Sequence, residues 1–175
     1  MDSKIRHQTA TFFALCALLL ALSGCKSNEW VDWKTRNEMW LMNNKNQPGV
    51  MVSSTGLQYK IIADPTTDDA RPNKNSTILC DYTLTLINGY VIENARNAQL
   101  SLSSTIPGFQ EGCHKIHANG DIELYIPASL GYDYNAYQTG DMSKAEGSGT
   151  EGTSGYIPPH STLIFKLHIG GVSGE

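Results

Sequence analysis

The histidines and cysteines are the first residues to test for chemistry. His114 and His117 stand three apart in a helical pattern, close enough to share a metal ion. No carboxylate pair completes them, and two ligands on a short helix make a poor site, so packed or solvated histidines are the better reading. Cys113 precedes His114, but adjacent side chains on a helix point apart and no third group orients them, which leaves no activated thiol. The sequence holds no Gly-x-Ser-x-Gly elbow and no phosphate-cradling glycine loop, and the glycines at 147–155 lack a following helix pattern. No paired carboxylates stand out for glycoside chemistry. What remains is a set of apolar and aromatic residues whose meaning depends on the elements around them.

Those elements are mostly strands. Gly56 to Ile62 reads as a strand, and 63–76 as a loop rich in Asp, Pro, Thr and Asn. Ile78, Cys80, Tyr82, Leu84 and Leu86 alternate with Leu79, Asp81, Thr83 and Thr85, which predicts a strand with one face inward. Asn88-Gly89 turns the chain into Tyr90-Val91-Ile92, a hairpin signal. Pro107 opens a short helix from Gly108 to about His117, and Asn119-Gly120 stops it. Ile122, Leu124 and Ile126 give another strand; Leu163, Phe165, Leu167 and Ile169 give the last. The sum is α+β, an antiparallel sheet with one short central helix. Ahead of it, Trp30, Trp33, Asn37, Trp40 and Leu41 fall on one stripe of a helix over 28–44, which Ser27 or Asn28 can cap. That stripe either docks the helix on the domain or meets a partner, including a second copy of the chain. Residues 140–155 are Gly/Ser-rich and predict a flexible loop.

The chain has 175 residues, 40% hydrophobic and 17% charged, enough for one domain with a core and accessories. A net charge of −4 argues against nucleic acid as a partner and provides no polybasic patch for lipid. No apolar run reaches the roughly 18 residues of a spanning helix. Four cysteines are too few for a disulfide-built miniprotein. The first residues are an address. Lys4 and Arg6 precede an apolar stretch from Phe12 to Leu22, and Leu22-Ser23-Gly24-Cys25 follows, as in a secretory signal. Leu-Ser-Gly-Cys resembles the lipobox of bacterial lipoproteins. That resemblance implies cleavage of 1–24, lipidation of Cys25, and a membrane-anchored place in the bacterial envelope, periplasmic or surface-facing.

A second resemblance covers residues 55–170. Ile106-Pro107-Gly108-Phe109-Gln110-Glu111-Gly112 resembles the helix-opening motif of FKBP-type peptidyl-prolyl isomerases, and Ile157-Pro158-Pro159-His160-Ser161-Thr162-Leu163-Ile164-Phe165 their C-terminal signature. Ile126-Pro127-Ala128-Ser129-Leu130-Gly131-Tyr132 is similar to the segment that delivers the pocket tyrosine. Gly56-Leu57-Gln58-Tyr59 and Tyr82-Thr83-Leu84-Thr85-Leu86-Ile87-Asn88-Gly89 fit the family's first strands. The motifs occur in family order. They imply a curved antiparallel sheet wrapped around a short helix, with a helical extension in front: lipidated N-terminus and extension over 25–54, isomerase domain over 55–172, insertion at about 133–156.

The implied activity is cis-trans isomerisation of X-Pro bonds in exported proteins, with proline-containing polypeptides as partners and no cofactor or metal. By the resemblance, Tyr82 lines the pocket wall and Phe165 its floor. Ile106 offers a backbone N–H, and Tyr132 a hydroxyl, to ligand carbonyls. Phe109 stands where the family usually has tryptophan, and Glu93 where aspartate is usual. Ile92 and Leu100 stand where phenylalanines are common. Thr105 replaces a valine, Tyr156 an aliphatic residue, and Ile157 opens the C-terminal signature beside the pocket. Fewer aromatic edges imply a weaker or altered isomerase. The alternative is a non-enzymatic chaperone or binding module on the same fold. Cys80 and Cys113 are placed to meet in the core, as a disulfide or as free thiols.

Overall fold

Asn88-Gly89 forms the turn that the alternating pattern requires. Gly89 adopts φ 82°, a left-handed geometry that glycine tolerates without strain, and the Leu86 N–H donates to the Tyr90 carbonyl at 3.0 Å. The turn joins β3 (Thr77–Thr85) to β4 (Val91–Ser101). In this computed structural model residues 29–65, 70–135, 137–138 and 155–174 are described. The signal segment, Cys25, the capping positions 27 and 28, and the expected Gly/Ser loop up to residue 154 lie outside the described residues.

The remaining strands are β1 (Met51–Val52), β2 (Gln58–Ala63), β5 (Gly120–Ile126), β6 (Tyr137–Gln138), β7 (Tyr156–Ile157) and β8 (Leu163–Ser173). Six of them form one sheet in the order β1-β2-β5-β8-β3-β4, antiparallel throughout. β6 and β7 form a separate two-stranded ladder. The sequence pattern missed β1 and most of β4, where polar residues break the alternation.

The helix α2 (Pro107–Cys113) is shorter than expected; His114 closes it as its C-cap. Proline suits the first turn because its missing N–H has no helical partner there. Gly108 and Gly112 lie four apart on the face turned to β5. A methyl group at either would collide with Ile126 or Leu124, so glycine permits the close approach. The approach seats Phe109, Cys113 and Ile116 among Leu84, Leu124, Phe165 and Leu167 of the sheet in one buried core. Burial at roughly 25 cal/mol per Å² of apolar surface is the main force holding helix to sheet.

The chain divides into two compact units, Met1–Asp32 and Trp33–Glu175. Of the first, the described residues are the opening turn of helix α1 (Glu29–Asn44), where Trp30 is exposed. The second unit begins well ahead of residue 55. Trp33 and Asn37 are buried, and the Trp33 Nε1–H donates to Ser161 Oγ at 3.0 Å. The Asn37 side-chain carbonyl accepts the Thr162 N–H at 2.7 Å. Gln58 of β2 donates to the Leu41 carbonyl, and Asn44 donates to Gln58, both at 2.9 Å. From Trp33 onward the helix is therefore bonded to the sheet by buried polar groups.

Candidate active site

The side chains of β3 alternate, so Tyr82 and Leu84 face α2 while Asp81 and Thr83 face the other way. β8 lies beside β3 with Phe165 opposite Leu84. Phe109 rises from the first turn of α2. Three rings meet here: Phe109 and Phe165 with centroids 5.1 Å apart, Tyr82 and Phe165 at 5.8 Å, Tyr82 and Phe109 at 6.4 Å. All three pairs are tilted or edge-on, the arrangement ring quadrupoles favour. They enclose a hollow of about 550 Å³, lined also by Leu84, Glu93, Leu100, Ser104, Thr105, Ile106, Pro107, Tyr132 and Tyr137. Its size and mainly apolar wall suit a small organic group.

Polar groups sit at its edges. Tyr82 and Glu93 share the hollow, and burial first, then that carboxylate, pushes the Tyr82 pKa above the ordinary phenol value. The Tyr132 phenol is also raised, by burial first, then by Tyr137 and by the charge of Glu93. Both phenols keep their protons at neutral pH and remain donors. Thr105 and Ile106 run extended into α2. The Thr105 carbonyl accepts Gln110 Nε2 at 2.7 Å, and its hydroxyl donates to the Leu102 carbonyl at 2.8 Å. That segment is fixed before any ligand arrives.

The structure thus brings together eight of the residues singled out in the sequence: Tyr82, Glu93, Leu100, Thr105, Ile106, Phe109, Tyr132 and Phe165. Three others do not line the hollow. Ile92 is wholly buried elsewhere. It is the extra residue where the β3–β4 register shifts between Leu84 and Thr85, and Gly155 packs against its backbone. A bulge re-aims the side chain, which the family pattern does not foretell. Ile157 is buried in the core, and Tyr156, beside it on β7, points outward and is exposed. Leu84, Ser104, Pro107 and Tyr137 line the hollow without having been singled out. Leu84 was within reach, since it shares the inward face of β3 with Tyr82.

Among the described residues, no group of three or more His, Cys, Asp or Glu side chains is arranged to hold a metal ion. His117 is engaged by Asp64 at 3.0 Å and by Arg71 at 3.2 Å. Cys80 and Cys113 are free thiols, both buried. Burial raises the Cys80 pKa to about 12 and drives that of Cys113 upward too. Neither is an activated nucleophile. A second hollow of about 340 Å³ lies across the opposite face of the sheet, but its charges are mated: His168 with Asp121 at 3.0 Å, Lys166 with Glu123 at 4.0 Å.

Residues 68–169 match the family of FKBP-type peptidyl-prolyl cis-trans isomerases. The chain belongs to that family. It is 34% identical over 140 residues to the outer membrane protein MIP of Legionella longbeachae, covering 78% of this chain and 52% of that one. It is 30% identical over 138 residues to the peptidyl-prolyl cis-trans isomerase Mip of Coxiella burnetii, covering 77% and 52%. The chain spans about half the length of the curated relatives it matches. Its fold is similar to the crystal structure of FkpA from Escherichia coli, with a TM-score of 0.67 and 25% identity over 99% of this chain and 74% of that one. An antiparallel sheet over a short helix, with an N-terminal helix, is therefore the family architecture read in the sequence.

Proposed function

We propose that this FKBP-family chain isomerises X-Pro peptide bonds in exported polypeptides, using the apolar hollow at Phe109 and Phe165. One observation carries the reading: a pre-formed, mainly apolar cavity of about 550 Å³ with hydroxyl donors at its rim. The reaction asks for nothing more. The barrier of about 18–20 kcal/mol comes from partial double-bond character in the amide, and no covalent bond breaks. A twisted amide has lost resonance and charge separation. A dry wall of Phe109, Phe165 and Leu84 therefore favours it over the planar form, which is differential binding of the transition state. Tyr132 and the Ile106 N–H are the groups assigned to peptide carbonyls.

The same reading places the chain in the cell envelope, held at the membrane by acylated Cys25, with 1–24 as its signal and 133–156 as an insertion beside the pocket. Its clients are proline-containing proteins met outside the cytoplasm. The exposed Met39 and Met42, away from buried Trp33 and Asn37, leave one side of α1 available for self-association. A match to a relative named as an outer membrane protein supports the location.

The direct test measures proline isomerisation by the full chain in detergent, on peptides differing in the residue before proline. The expected result is a rate above the uncatalysed one, with kcat/KM falling about tenfold or more in Phe165→Ala or Phe109→Ala. A folded protein with no rate enhancement on any peptide refutes the enzyme and leaves the binding module.

A further inference from the structure

Gln110 stands near the start of α2 and is not itself a lining residue of the hollow. Its side chain reaches back to a segment that is. Gln110 Nε2 donates to the Thr105 carbonyl at 2.7 Å. A carbonyl only accepts, so the nitrogen end of the side-chain amide must face it. The Gln110 backbone N–H donates to the Ile106 carbonyl at 3.1 Å. One helical residue therefore holds the peptide planes on both sides of the Ile106 α-carbon. Thr105 is braced from behind, its hydroxyl and its N–H both donating to the Leu102 carbonyl, at 2.8 and 3.0 Å. Thr105 and Ile106 both line the hollow.

We propose that Gln110 is a positioning residue of the pocket: by holding the Thr105 carbonyl it orients and strengthens the Ile106 N–H that receives a carbonyl of the bound peptide. The proposal rests on the isomerase reading of the pocket and deepens it.

The Thr105 carbonyl and the Ile106 N–H are two ends of one amide. That amide is planar and trans, so its C=O and N–H point opposite ways, and fixing one fixes the other. The Gln110 bond thus stops the plane from turning about the torsions on either side of it. An N–H aimed in advance loses less freedom when a peptide arrives. The same bond polarises the amide. Electron density drawn toward the carbonyl oxygen leaves a stronger donor at the nitrogen. Both effects act on one ligand hydrogen bond, so both belong to binding. What position 110 must supply is a proton donor. Glutamate there would keep the length and the helix preference of glutamine, but its ionised form cannot donate to an oxygen.

The test uses the full chain in detergent and a tetrapeptide with a central Leu-Pro bond. Binding is read by calorimetry, turnover by exchange NMR, and the Ile106 amide by its 15N resonance, for wild type, Gln110→Met and Gln110→Glu. Gln110→Met keeps a long helix-forming side chain and removes the donor. Kd and KM should rise about two- to tenfold, the weight of one neutral hydrogen bond, with kcat little changed. Gln110→Glu should match it at about pH 8. Between about pH 8 and about pH 5 the new carboxyl takes up its proton, which partial burial and the facing carbonyl both favour, and its O–H can then donate. Relative to wild type at each pH, so that other titrating groups cancel, Kd and KM of Gln110→Glu should return toward unity as pH falls. The Ile106 15N resonance should move with the same midpoint. Loss of helix stability alone would give no such recovery. A Gln110→Met variant that binds as tightly as wild type overturns the proposal, as does a Gln110→Glu ratio that stays flat with pH. Should Gln110→Met misfold, Gln110→Glu decides within one protein. The expected binding pattern without turnover upholds the role of Gln110 and refutes the isomerase. A wild type that neither binds nor turns over the peptide overturns both.

Discussion

Tyr82 and Tyr132 both line the hollow with Glu93, and burial together with that carboxylate holds both phenols above the ordinary value, so they stay protonated. Cys80 and Cys113 show the opposite chemistry, polar atoms made inert by burial. With the Cys80 pKa raised to about 12 and that of Cys113 raised further by its neighbour, the thiolate fraction near pH 8 is minute. Iodoacetamide should leave both unmodified in the native protein and label both in denaturant; rapid native adducts by mass spectrometry would contradict their burial. The pocket residues were legible because short motifs pin them to a register. Pro107 starts a helix two residues before Phe109, and period-two alternation sends Tyr82 and Phe165 inward. Ile92 lies at the register shift between Leu84 and Thr85, and no residue type announces that shift. Tyr137 was not legible as a lining residue because its place depends on the path of the chain after Tyr132, which no short motif specifies.

Among the elements, α1 does most that the sequence left open. The tryptophan stripe suggested either docking or a partner, and the structure divides it: Trp33 and Asn37 are buried while Trp30 is exposed. What the helix holds is the connection between β7 and β8. Trp33 bonds Ser161, Asn37 bonds the Thr162 N–H, and the next residue back, His160, donates its N–H to the Asp133 carbonyl at 2.7 Å. Asp133 follows Tyr132, so the helix braces the pocket tyrosine through three links. Such long-range polar pairing leaves no trace in periodicity. Asn37→Ala leaves the Thr162 N–H buried without an acceptor and should cost about 1–3 kcal/mol. Trp33→Ala should cost about 3–5 kcal/mol through the lost ring. Urea unfolding monitored by circular dichroism measures both. Midpoints equal to wild type would mean that the helix is an appendage after all.

At the scale of the whole molecule the proposed activity and the proposed anchor bear on each other. A pocket that reads proline and backbone would bind any one client modestly, so placement would decide which polypeptides it meets. α1 is bonded into the domain from Trp33 onward. An acylated Cys25, as proposed, would set that placement by holding the chain at a bilayer. Diacyl and N-acyl chains together would hold it there, since each buried CH₂ contributes roughly 0.8 kcal/mol and a single chain binds only marginally. Cys25→Ser removes the sulfur that would accept the proposed lipid and with it the proposed cut before residue 25. The variant should accumulate with 1–24 attached, take up no labelled palmitate, and keep the isomerase rate of the wild type in detergent, because α1 and the pocket are untouched. Mass spectrometry of the purified chain reads the first two outcomes and the peptide assay the third. A wild-type mass with an unmodified Cys25 would place the protein free in its compartment, and confinement at the membrane would then have no part in choosing its clients.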